Sequence, residues 1–228
     1  MIRSDNGSKT ARASRVFVAV TLALLAALIL AAIIVPLSVY RSRGEVIVSY
    51  GNVTVRRDLY VYWLSAYKYS YLRKQARLDP AAADTPAYWN GETEEGVTRA
   101  AAVRAEAEEW IKRVVFASAL FEEEDRTLGE ATLADLEDGC GRLLQYELDT
   151  VKKFNKAAKP IGFRYETVRR AFFYQTEGES YVSPMNDTDY ESFGVLASRE
   201  VTIGDAAGKI DFVSLATDAR LYNTLYLP

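Results

Sequence analysis

Residues 16–40 read VFVAVTLALLAALILAAIIVPLSVY, a stretch without a single charge. As a helix rising about 1.5 Å per residue it reaches about 37 Å, more than the roughly 30 Å hydrocarbon core of a bilayer. A chain carrying such a run must bury it in a membrane or a large core, or lose it by cleavage. A cleaved signal peptide has an apolar core of about 7 to 15 residues and ends on a small-x-small site. Here the run is longer, it closes on Pro36, Leu37, Ser38 and Val39, and no Cys lies nearby to take a lipid. A buried core helix is disfavoured by so long a charge-free run. Residues 16–40 are therefore expected to form an uncleaved transmembrane helix, tilted or kinked near Pro36.

The flanks orient it. Arg3, Lys9, Arg12 and Arg15 precede the run with only Asp5 against them, whereas Arg41 and Arg43 follow it beside Glu45. The excess of positive charge before the run predicts a cytoplasmic, basic N-terminus at 1–15 and an extracytoplasmic body. The whole chain has 28 Lys and Arg against 31 Asp and Glu, so the part beyond residue 15 is the more acidic one. An acidic body offers no field for a polyphosphate backbone, which argues against nucleic acid as a partner. The absence of His removes imidazole-based triads and zinc sites, and a lone Cys removes internal disulfides and thiol-based metal cages. Neither a G-x-S-x-G elbow, nor an S-x-x-K pair, nor a phosphate loop is present. No catalytic residue, metal or cofactor is assigned.

Two β-type runs, 46–50 and 53–55, flank Gly51-Asn52. From Asp58 to Leu78 the positions Leu59, Trp63, Ala66 and Ser70 run beside Tyr60, Leu64, Tyr67 and Tyr71, the spacing of one wide helical face. Residues 79–96 hold Pro80, Pro86, Asn90-Gly91 and Gly96 and predict a break. A second helix is expected from Thr98 to Glu123. A third follows the Thr132–Asp135 capping box and carries Leu133, Leu136, Cys140, Leu144, Leu148 and Val151. A fourth runs from Tyr165 to Gln175 or Thr176. Beyond Tyr181, residues 184–189 read as breakers, and 200–203 and 209–213 as strands. The expectation is a mostly α domain of about four helices with a short β element at 41–181, and an irregular or β tail at 182–228.

The order of these segments resembles the SurA/PrsA-type amino-terminal chaperone domain of extracytoplasmic foldases, in its Gram-positive, clostridial form. Val46-Ile-Val-Ser-Tyr-Gly-Asn-Val-Thr-Val-Arg-Arg-Asp-Leu-Tyr60 is similar to the family's opening strand, Gly turn and helix start. Thr85-Pro-Ala-Tyr-Trp-Asn-Gly91 with Glu95-Gly-Val-Thr98 is similar to the segment before its second helix. Leu120 through Asp135, and Phe154 through Arg169, match the elements that open its later helices. The resemblance spans about 46–181. It implies a module that holds or folds exported polypeptides, commonly beside a parvulin-type prolyl isomerase domain. That domain opens on a His-containing strand and needs roughly 90 residues, whereas this chain has no His and continues for only 47 residues past Tyr181. The isomerase domain is expected to be absent, and the last segment to be a divergent tail or the remnant of a truncated or frameshifted frame.

Rigid aromatic faces suit sequence-tolerant contact with unfolded chains. Trp63, Tyr67 and Tyr71 share the core stripe of the first helix. Tyr62 and Tyr69 point elsewhere and are candidate client contacts. Phe172 and Phe173 are adjacent on a helix, so Phe172 is expected in the core and Phe173 outside, a further candidate. Trp89, in a Pro- and Gly-rich loop, either meets a client or pins the loop to the core, and pinning is favoured because large apolar groups are mostly buried. Cys140 reads as a buried hydrophobe, and the acids 122–125 as a solvated run. The expected partners are unfolded exported polypeptides and the membrane. The alternatives are a homo-oligomer, an accessory subunit docking one envelope protein, and a residual prolyl isomerase.

Overall fold

The computed structural model describes residues 44–228. The expected basic N-terminus and transmembrane helix lie outside the described residues, and among the described residues no helix is long and apolar enough to cross a membrane. A hairpin of β1 (Val46–Tyr50) and β2 (Val53–Arg56) opens the described chain. It turns at Gly51, whose φ of +54° favours a residue without a Cβ, and an added methyl would also press on the Glu123 carboxylate. Helix α1 (Arg57–Ser70) follows directly and ends in a wide π turn at Tyr71–Gln75. The expected break resolves into two one-turn helices, α2 (Pro80–Ala83) and α3 (Pro86–Asn90). Asp79 and Thr85 cap them, and proline takes the first position of each.

Thr98 caps the long helix α4 (Arg99–Glu123), as its hydroxyl accepts from Ala101 N. Helix α5 (Glu130–Gly141) begins behind Gly129, so the Thr132–Asp135 pair lies inside the helix and caps nothing. The expected continuation to Val151 is also corrected. The chain leaves the helix at Gly141, makes a single 3-10 turn at Tyr146–Leu148 and starts α6 (Val151–Ala158) behind the Thr150 cap. Helix α7 (Tyr165–Val182) runs nearly two turns past its expected end, and Gly178 lies where it crosses α4 against Ala117.

The segment after residue 182 departs most from expectation. Asn186, Asp187 and Asp189, read above as breakers, start helix α8 (Asp187–Glu200). The Asn186 side chain accepts from Asp189 N, and the acids fall in the first turn, where the helix dipole favours them. Residues Thr202–Ile203 form β3, which pairs antiparallel with β1 and gives the sheet order β2-β1-β3. Residues 209–213 are turns rather than a strand.

Residues after 203 wrap the molecule without regular strands and supply Ile210, Phe212, Leu215, Leu221, Tyr222 and Leu227 to one continuous core. Residues 182–228 therefore belong to the same compact unit as the helices before them. At its centre lies α1, buried on nearly all sides between α4, α7 and the C-terminal wrap.

Candidate functional site

Tyr62 and Tyr69 do not face solvent, contrary to the expectation from their stripe. Tyr62 packs edge-on to Phe163 at 5.1 Å and 6.0 Å from Tyr222, and Tyr69 stacks on Tyr222 at 5.2 Å. The cause is the C-terminal wrap, which covers the side of α1 that a lone helical bundle would leave wet. Trp89 is 0% exposed and pins its loop. Its Nε1 donates to Asp84 Oδ1 at 2.7 Å, its ring meets Phe212 edge-on, and the Lys68 ammonium lies 5.1 Å from its centroid. Of the four aromatic candidates, only Phe173 remains at the surface, 39% exposed.

Phe173 opens into a groove of about 380 Å³ between α4, α5 and α7, floored by Leu136 and Tyr174. Glu122, Glu137 and Glu166 rim it. Arg169 pairs with Glu137, and Arg170 reaches the buried Asp58 carboxylate at 2.5 Å, so both guanidinium groups are engaged within the fold. Next to Phe173 on α7, Phe172 is buried and stacks on Tyr226 at 4.0 Å, which leaves its neighbour no inward position.

A second groove, about 650 Å³, lies past the C-terminal end of α5. Leu143, Leu148 and Tyr222 form its floor, and an ion pair between Arg220 and Glu147 at 2.7 Å spans its rim. Tyr146 stands on that rim 88% exposed, with a left-handed φ of +51°. Leu225 stands opposite, also exposed. A bulky side chain at positive φ is strained by about 1–3 kcal/mol, and such strain concentrates at binding sites. Packing does not account for Tyr146, because most of its surface faces water. Sequence reading missed it: a Tyr after Gln145 gives no sign of backbone handedness.

The two grooves adjoin α5, one beside its middle and one past its end. Leu136 lines the first groove, and Leu143, two residues past the end of α5, lines the second. Nucleophilic chemistry is poorly served by comparison. Cys140 is buried, and desolvation pushes its thiol up to about 11, so it is not a thiolate near neutral pH. Among the described residues no cluster of acids and Cys could hold a metal ion. In comparisons with known proteins, the chain matches no family model, no curated protein and no solved structure.

Proposed function

We propose that this protein is a membrane-anchored, extracytoplasmic chaperone that holds extended segments of exported polypeptides. The reading rests above all on one observation: two open grooves along α5 present Phe173, Tyr146 and Leu225 to solvent, at positions where folding asks for no large apolar group. Exposed apolar groups beside a groove mark interaction surfaces, and aromatic anchors bury much area at the loss of few rotors. The rims are polar and their charges mostly paired, which suits weak and sequence-tolerant contact better than one tight partner. The unbroken apolar run at 16–40 and its basic leading flank support the anchor and its orientation.

The test uses the full chain in phospholipid nanodiscs with a photoreactive phenylalanine placed singly at position 146, 173 or 200. Illuminated with a reduced, unfolded protein, positions 146 and 173 are expected to crosslink to it, while the exposed control at 200 does not. Crosslinking should be competed by a second unfolded protein and not by its native form. Equal labelling at all three positions would contradict the reading.

A further inference from the structure

The two grooves differ in charge, and the difference bears on what each can hold. Three carboxylates, Glu122, Glu137 and Glu166, share the rim of the Phe173 groove with Arg169 and Arg170. Arg170 is turned onto Asp58, which is only 5% exposed, so its charge is neutralised within the fold. Arg169 pairs with Glu137 and lies 3.9 Å from Glu166, so one guanidinium serves two carboxylates. Glu122 has no ion-pair partner among the described residues, and it is half-buried, where water screens a charge less than in the open. Three carboxylates against one available guanidinium leave the rim with a surplus of two negative charges. The Tyr146 groove is close to neutral, since Arg142 pairs with Asp138 and Arg220 bridges Glu147 and Asp218.

A segment that settles over Phe173 covers Glu122 and strips water from it, which is unfavourable unless a cation takes the place of the water. A Lys or Arg side chain meets this need. Its methylene stem lies along the apolar floor at Leu136 and Phe173 while its head reaches the rim carboxylates, and the ring faces of Phe173 and Tyr174 attract the same charge. We infer that the Phe173 groove holds extended segments in which an apolar side chain is flanked by Lys or Arg, whereas the Tyr146 groove does not discriminate by charge. The inference rests on the holding of extended chains proposed above and gives one of its two grooves a substrate class. An acidic segment is repelled by the same rim.

The test uses the full chain in zwitterionic nanodiscs with a photoreactive phenylalanine at position 173 or 146. The probes are acetylated, amidated peptides of sequence Ser-X-Leu-Ser-Leu-X-Ser, with X as Lys, Gln or Glu. At position 173 the Lys peptide is expected to half-saturate labelling at a concentration about three- to tenfold below that of the Gln peptide at roughly 20 mM salt, with the Glu peptide weakest. The ratio should approach one at roughly 0.5 M salt, and the three peptides should label position 146 alike. Combining Glu122→Gln with Glu166→Gln should bring the ratio at 173 below about twofold, with circular dichroism reporting that the variant is folded. Equal half-saturation by the Lys and Gln peptides at 173 overturns the inference and leaves the holding function standing. The same Lys preference at 146 also overturns it, because attraction to the acidic body as a whole would then be the cause. An adduct at 173 between two copies of the chain that the Lys peptide does not displace overturns it in favour of self-association. No labelling by any peptide at either position overturns the holding function, and this inference with it.

Discussion

Glu177 is buried between α4 and α7, where its Oε2 accepts from Ser118 Oγ at 2.5 Å. Desolvation, aided by the Glu122 carboxylate and opposed by the Ser118 hydrogen bond, pushes its carboxyl from 4.5 up to about 7. A carboxyl raised in the folded state favours folding fully below its unfolded pKa, and that contribution is lost as pH rises from about 4.5 through 7. Over that window the stability is expected to fall by up to about 3 kcal/mol from this group alone. Glu177→Gln keeps an acceptor for Ser118 and removes the charge. Urea unfolding of the variant should show a flatter profile between pH 4.5 and 7 and higher stability than the parent at pH 8. A parent-like profile would show that Glu177 does not carry the dependence. Lys68 is the opposite kind of buried charge. It pairs with Asp84 at 2.7 Å and donates to Val213 O and Leu215 O, at 3.0 and 2.6 Å, so its burial is compensated by the wrap that it fastens.

Helix α5 shows how the last segment is seated. Gly139 is buried against the Tyr226 ring, and its carbonyl accepts from Asn223 Nδ2 at 2.8 Å. Gly141, two residues on, has open space around it. In a free helix either Gly→Ala change stabilises by about 1 kcal/mol. Here Gly139→Ala drives a methyl into Tyr226 and is expected to destabilise by about 1–3 kcal/mol, whereas Gly141→Ala is neutral or stabilising by about 0.5–1 kcal/mol. Thermal unfolding of the pair distinguishes them, and equal effects would mean that the C-terminal segment does not seat on α5. The first, second and fourth helices and the hairpin were legible, because their apolar positions recur at helical spacing and Thr98 caps in the ordinary way. The start of α8 was not, since Asn and Asp signal a turn and a helix N-terminus equally well. The third helix is shorter than its sequence period suggests, because Leu144, Leu148 and Val151 continue that period across the break. Leu148 enters the core and Leu144 packs against it, whereas Val151 stands exposed at the start of α6.

At the scale of the molecule, α1 is enclosed by a wrap contributed from the far end of the sequence, and this decides which aromatic groups remain at the surface. Tyr62 and Tyr69 read as surface residues because the period of one helix carries no information about a partner some 150 residues away. Phe173 was legible because its neighbour Phe172 claims the inward position, whatever packs against it. Tyr146 was not, because its exposure follows from a left-handed turn. What emerges is an acidic, mostly helical body whose core consumes most of its aromatic side chains and leaves a few beside open grooves. The most direct test of holding is light scattering from a proline-free protein diluted out of denaturant, with the full chain in nanodiscs and empty nanodiscs as the blank. Near-stoichiometric protein should suppress the scattering, and Tyr146→Ser combined with Phe173→Ser should abolish most of that effect while the circular dichroism is unchanged. Scattering that is indifferent to the folded protein, or suppression that survives the double variant, would contradict the account.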